Sequence, residues 1–316
     1  MSAFLCQFCY NEYGDKMNPF TMKLKRKSNY FEGYYIRVTD KNKSFNKAFI
    51  FGMTSNKKDP HAFMQIVDGD KGKTKYYRYD IGDFYFDKNT IHLPGITLSR
   101  DEMYIENNDF TIKGTLSNII GLPKKFLSNS AMSFLHMFPM KTYQEIVIMN
   151  AEFNGVFTEN NTEKNIQGIS YMEKTYGHFF PRTWAWIQCN QFDKNVLLSS
   201  SIGDALIAGV KMKGYVISLI HNNKEYRFAT YLKDRLKIIQ EIDRVTINVS
   251  NRLHTLQIVA QSNNPITLVG PGLKGEMNMN VYESLTSTVE ITLTDKNGLI
   301  VSSKGTDVGM ENMYEN

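Results

Sequence analysis

Tyr171-Met-Glu-Lys-Thr-Tyr-Gly-His-Phe-Phe-Pro-Arg-Thr-Trp-Ala-Trp-Ile-Gln-Cys-Asn190 decides the reading of this chain. It contains both tryptophans, Trp184 and Trp186, and two acid–base candidates, Glu173 and His178. Gly177 and Pro181 mark a turn or short irregular link, and Pro181 holds Phe180 extended. From Trp184 onward the pattern predicts a strand. Trp184, Trp186, Gln188 and Asn190 then share one face, and Ala185, Ile187 and Cys189 the other. The small apolar set suits a packed core. The large amphipathic set suits a wall, either of a cavity for an apolar ligand or of an ordinary packing interface.

Outward from this stretch the same period recurs. Short alternating runs, rich in β-branched and aromatic residues, are separated by Asp68-Gly69-Asp70, Asn107-Asn108, Asn160-Asn161, Asn222-Asn223 and Asn297-Gly298. Asn and Gly tolerate the positive φ of tight hairpins. The pattern predicts an all-β protein of two tandem β-barrels or sandwiches with few short helices. At 316 residues the chain is long for one core and comfortable for two. The break at 159–165 places the expected domains at 1–165 and 166–316. Lys125–Phe138 and Gly203–Val210 are the candidate helical segments.

Composition narrows the function. Lys+Arg 37 against Asp+Glu 32 leaves a formal charge of +5, scattered except for Lys23, Lys25, Arg26 and Lys27. Nucleic-acid binding needs a denser basic stripe. Cys6 and Cys9 form one C-x-x-C without a second pair, and the six histidines show no ligand spacing, so no metal site is expected. No apolar run reaches the roughly 18 residues of a membrane span, and the N-terminus lacks the features of a signal peptide. The expectation is a soluble, cytoplasmic protein without an integral membrane segment. There is no G-x-S-x-G, P-loop, G-x-G-x-x-G after a strand or H-E-x-x-H. What remains is acid–base work without a cofactor in an apolar cavity, or simple binding of a small apolar ligand. The sequence leaves the oligomeric state open.

Three groups invite chemistry. In Tyr30-Phe-Glu-Gly-Tyr-Tyr-Ile-Arg-Val38, Glu32 either joins Tyr30, Tyr34 and Ile36 on an inward face or stands on the solvent face opposite Phe31, Tyr35 and Arg37. His136, in Ser133-Phe-Leu-His-Met-Phe-Pro139, is either a satisfied core histidine or an acid. Glu173 either forms a solvated pair with Lys174 or points into a cavity as an acid of raised pKa.

Tyr30-Phe-Glu-Gly-Tyr-Tyr35 and Gly168 to Asn190 together resemble the tocopherol cyclase family, whose usual forms are Y-F-E-G-W-Y and Y-x-E-K-(D or N)-W-G-x-x-F-P-x-x-W-x-W-x-Q-x-N. The segment around His136 is similar to that of bacterial members, and Gly275 to Met279 and Gly309 to Asn312 to the closing strands. The resemblance runs from about residue 28 to 312. It implies paired lipocalin-like barrels, related to hydroxyneurosporene synthase-like and AttH-like proteins. It also implies cofactor-free cyclisation or isomerisation of a prenylated quinol or polyene. An acid protonates an alkene, aromatic faces stabilise the tertiary cation, and a phenol oxygen captures it. Carried over, Glu173 and Glu32 become the catalytic candidates. Tyr34, His136, Tyr176, Trp184, Trp186, Gln188 and Asn190 become the ligand-binding candidates. The chain departs from the pattern at Thr175, Tyr176 and Tyr34, and Gln144 stands where bacterial members tend to carry His, which removes two possible proton donors. A lipocalin-like carrier of an apolar metabolite is the alternative.

Overall fold

The computed structural model describes residues 18–23, 29–123, 132, 140–207 and 210–314. His136 and the candidate helix 125–138 lie outside the described residues. Most of the described residues are strand, and every described pairing is antiparallel.

The first sheet holds β1 (Phe31–Asp40), β2 (Asn46–Thr54), β3 (His61–Asp68), β4 (Lys73–Tyr79), β5 (Tyr85–Asp87), β6 (Thr90–Leu93), β7 (Ile96–Leu98), β8 (Glu102–Glu106), β9 (Phe110–Ile120), β10 (Thr142–Glu159) and β11 (Thr162–Gly177). Its order is β4-β3-β2-β1-β11-β10-β9-β8-β7-β6-β5. The second holds β12 (Trp184–Cys189), β13 (Val196–Ile207), β14 (Val210–His221), β15 (Lys224–Ala229), β16 (Arg235–Gln240), β17 (Arg244–Ser250), β18 (His254–Gln261), β19 (Ile266–Pro271), β20 (Met277–Asp295) and β21 (Gly298–Met313). Its order is β15-β14-β13-β12-β21-β20-β18-β17-β16, with β19 on β20. These are the two large curled sheets of a lipocalin-like all-β fold.

The turns follow the local chemistry. Asn160 and Asn161 have φ of 50° and 60°, Asn222 and Asn223 of 48° and 63°, and each pair joins adjacent strands by two residues. Positive φ at both positions matches hairpin twist to strand twist. The turn at Asn160-Asn161 thus links two partners of one sheet. The chain changes sheet at residues 178–183, later than the boundary expected near 165, because β11 is needed between β1 and β10. The helical expectation for 203–210 is also corrected. Gly203 to Ile207 extend β13, with Gly203 opposite both Trp184 and Gly214. A weak local preference yields to partners on both sides. Helix among the described residues is confined to single 3-10 turns at Ile81–Asp83 and Thr230–Leu232.

Three apolar cores result. One fills the first sheet, with Tyr30, Tyr34, Ile36, Met172 and Tyr176 among its members. Another fills the second, with Ala185, Ile187 and Cys189. The third is the seam between the sheets, where Tyr171, Trp184, Trp186, Leu197, Leu268, Val281 and Leu285 meet. Strands β1 and β11 therefore bury both faces: even-numbered residues point into the first sheet, and Tyr35, Arg37, Tyr171 and Glu173 toward the second. The β12 alternation is as the sequence predicts, with the small residues in a core and the tryptophans on the other face.

Arg37 fastens the seam from a position 3% exposed. Its Nη1 donates to Gln188 Oε1 at 3.3 Å, and its Nη2 donates to Leu285 O at 2.8 Å and to Asn46 Oδ1 at 3.0 Å. Gly309 makes room for this clamp. A Cβ there would lie 2.9 Å from the Trp186 ring and 3.2 Å from Arg37 Nη1. Gly309→Ala is expected to cost about 1–3 kcal/mol through overpacking, read as a lower urea midpoint. An unchanged midpoint would show that the seam yields.

Candidate functional site

At the seam, three carboxylates from three strands converge on the tryptophans. Glu173 lies opposite Tyr35 on the β1–β11 ladder. Glu311 lies opposite Trp186 on β12 and opposite Glu283 on β20. Strand pairing alone thus brings Glu283 and Glu311 side by side.

The hydrogen bonds differentiate them. Glu173 Oε2 accepts from Tyr171 Oη at 2.6 Å, Gln144 Nε2 at 2.9 Å and Trp186 Nε1 at 3.1 Å. Glu283 Oε1 accepts from Tyr35 Oη at 2.6 Å, and Glu311 Oε2 from Trp184 Nε1 at 2.6 Å. Glu283 Oε2 and Gln188 Nε2 are buried without a hydrogen-bond partner. The Tyr35 ring meets Trp186 edge-on at 5.2 Å.

Burial raises all three carboxyls. For Glu173, the Tyr171, Gln144 and Trp186 donors oppose that rise. Burial pushes Glu283 up to about 7, with Glu173 adding to the rise while Tyr35 and Arg37 draw it down. Glu311 is half-buried by surface but densely surrounded by protein. Burial pushes it up to about 8, and the charges of Glu283 and Glu173 add to the rise. The buried Arg37 guanidinium is the cation beside Glu283. Glu173 is the one of the three whose upward shift is opposed by several side-chain donors on one oxygen.

The sequence candidates divide between two places. Glu173, Trp184, Trp186 and Gln188 meet at the seam. Asn190 lies further along it, its Nδ2 donating to Asn150 Oδ1 at 3.0 Å. Glu32, Tyr34 and Tyr176 face the other way, into the first sheet. There Glu32 Oε1 pairs with Lys174 Nζ at 2.5 Å, both side chains fully buried. The structure therefore does not bring the two catalytic candidates Glu32 and Glu173 together, because they occupy opposite faces of one ribbon. It also replaces the solvated Glu173–Lys174 pair, since neighbours along a strand point apart. His178 is remote from the carboxylates, its Nδ1 against Asn29 O at 2.9 Å.

Sequence reasoning missed Tyr35, Arg37, Glu283 and Glu311. A signal existed for Glu283, which interrupts the apolar face Val281, Leu285. The tryptophan wall is closely packed, with Trp184 7% and Trp186 6% exposed. The half-buried Tyr35 and Glu311 mark its accessible edge. A cleft of about 570 Å³, lined by Asp40, Lys41, Gln191, Phe192 and Lys304 among others, lies elsewhere on the surface. No helix among the described residues is long and apolar enough to cross a membrane.

The family model described as tocopherol cyclase-like matches residues 109–312. The chain belongs to the tocopherol cyclase-like family. The matched span contains Glu173, both tryptophans, Glu283 and Glu311, and it leaves out β1 with Tyr35 and Arg37. The fold is similar to that of an AttH-like protein from Nitrosomonas europaea, at 13% identity and a TM-score of 0.53, covering 90% of this chain and 93% of that one. Kievitone hydratase from Nectria haematococca follows at 11% identity and a TM-score of 0.48, covering 89% and 88%. No curated protein matches the chain.

The raised carboxyls fix a pH dependence. Their folded pKa values exceed the unfolded one, so the native state holds protons that the unfolded chain releases above about 4.5. Stability is then expected to fall as pH rises from about 5 to 8, by up to about 1.4 kcal/mol per pH unit for each titrating group. Urea titrations across this range check it. Glu283→Gln and Glu311→Gln should each flatten the slope, and a slope unchanged in both would place the titration elsewhere.

Proposed function

We propose that this protein is a cofactor-independent acid catalyst that cyclises or isomerises a prenylated quinol or a related polyene at the seam. The observation that carries the proposal is that Glu173, Glu283 and Glu311 gather against Trp184 and Trp186 at the seam, with Arg37 beside them. Such a place keeps carboxyl protons at neutral pH and keeps water from a carbocation.

The roles follow from the contacts. Glu283, whose Oε2 is unpartnered, donates its proton to the alkene. The tertiary cation lies against the faces of Trp184 and Trp186, where the ring quadrupole attracts it. The phenol oxygen forms the new C–O bond, and its proton passes to the Glu173 carboxylate. Proton exchange between the carboxyl groups restores the starting state, so atoms and electrons balance without a co-reactant. Gln188, whose Oε1 accepts from Arg37 and whose Nε2 is buried without a hydrogen-bond partner, donates that Nε2 to the substrate oxygen in this reading. Met279 and Met313, packed against this core, can adapt to an irregular apolar tail. Membership of the tocopherol cyclase-like family supports this class of reaction.

Turnover of a prenylated hydroquinone to its chromanol, followed by chromatography with mass detection, tests the reading. Glu283→Gln is expected to lower kcat about 10²–10⁴-fold, Glu173→Gln to lower it as well, and wild-type activity to fall above about pH 7–8. Folded Gln variants with full turnover would refute these roles. A wild-type protein that binds the quinol and returns it unchanged would establish the carrier instead.

A further inference from the structure

Beyond Arg37 the two sheets part around a cleft that the seam chemistry does not use. Thr39 continues the face of Tyr35 and Arg37 along β1, and Ile169 lies opposite it on β11. The other wall comes from Gln191 and Phe192, which follow β12, and from Thr306 of β21. At about 570 Å³, with walls from both sheets, the cleft has the size and the place of a small-molecule site. Ile169 and Phe192 are half-buried and give it an apolar side.

A bulge in β21 shapes the cleft. Ser287 faces Val308 and Val289 faces Gly305, so two steps along β20 match three along β21. The extra residue takes Thr306 and Asp307 out of the ladder, and Asp307 has a φ of 50°, which is uncommon outside glycine. The freed groups find other partners. Thr306 N donates to Gln191 O at 3.0 Å, Thr306 Oγ1 accepts from Lys43 Nζ at 3.0 Å, and Asp307 O accepts from Arg37 Nη2. Bulges are over-represented beside functional sites, where they re-aim side chains.

The polar groups of the cleft divide by whether their bonds are made. Asp40 accepts from Ser44 N and Ser44 Oγ, each at 2.7 Å, and from Phe45 N at 3.2 Å. Asp193 Oδ1 accepts from the Ser303 hydroxyl and from Lys304 N at 3.1 Å. Lys304 Nζ pairs with Glu290 at 2.6 Å, and Lys43 Nζ lies 3.7 Å from Asp307. Two donors are left over. Gln191 Nε2 is buried without a hydrogen-bond partner. The exposed Lys41 ammonium makes no ion pair or hydrogen bond among the described residues. A buried amide donor left unbonded is costly, so this cleft wants an acceptor.

We propose that this cleft is a second binding site, and that its ligand is a small apolar or aromatic carboxylate. The carboxylate accepts from Gln191 Nε2 and pairs with Lys41, and the ring or chain behind it lies on Ile169 and Phe192. An alcohol offers the amide a weaker acceptor and leaves Lys41 to solvent. An amine brings a cation to a rim that already carries Lys41, Lys43 and Lys304, and offers Gln191 no charged acceptor. This site is independent of the seam reaction, in which Gln191 and Lys41 take no part.

Calorimetric titration of the full chain with phenylbutanoate, phenylbutanol and phenylbutylamine tests the assignment. Phenylbutanoate is expected to bind at least about tenfold tighter than the other two. Lys41→Gln, at an exposed position, should weaken it about tenfold. Gln191→Glu, which sets a carboxylate where the amide donor was, should remove the preference for the acid. Glu283→Gln, at the seam, should leave the titration unchanged. In the wild-type chain, the side-chain amide resonances of Gln191 should shift as phenylbutanoate is added. Equal affinities for the three probes, Lys41→Gln binding like wild type, or Gln191 resonances unmoved at saturating phenylbutanoate would overturn the proposal.

Discussion

A guanidinium buried between two sheets is the constraint around which this molecule is arranged. Arg37 leaves the first sheet and finds its acceptors on the second, in Gln188 and the carbonyl of Leu285. A buried cation without acceptors would cost several kcal/mol, so the two sheets are held in one relative position. That position sets Trp186 edge-on to Tyr35 and places Glu173 opposite the β20–β21 pair. Gly309 is part of the same constraint, since the ring and the guanidinium occupy the space its side chain would take.

The second consequence is segregation of charge. Strands β1 and β11 bury both faces, and along each of them successive residues serve different chambers. Glu173 serves the seam and Lys174 the first sheet. Without this alternation the two would neutralise each other, and neither an acid cluster nor an ion-paired aromatic chamber would exist. On the seam side, among the described residues, Arg37 is the cation beside the carboxyls, and burial raises all three. On the other side, Glu32 pairs with Lys174 and Glu145 with Lys23.

Much of this was legible in the residues. The Asn-Asn turns and two-residue alternation specify hairpins and all-β architecture. The division of β12 into Ala185, Ile187, Cys189 and Trp184, Trp186, Gln188 follows from strand geometry alone. Glu173 could be singled out beside the tryptophans. Glu32 could not be assigned a face, since Tyr30, Tyr34 and Ile36 on one side are as apolar as Phe31 and Tyr35 on the other. When both faces of a strand are buried, hydrophobic alternation carries no signal.

The sequence by itself determined the strands, their turns, the family resemblance and the presence of carboxylates among aromatics, because these depend on local period and short-range chemistry. Only the tertiary structure decided which carboxylates meet. Glu173 lies more than a hundred residues before Glu283 and Glu311 and joins them through the packing of the two sheets, which no local pattern encodes. It likewise decided that Glu32 and Glu173 work in separate chambers, since that depends on a second sheet closing over β1 and β11.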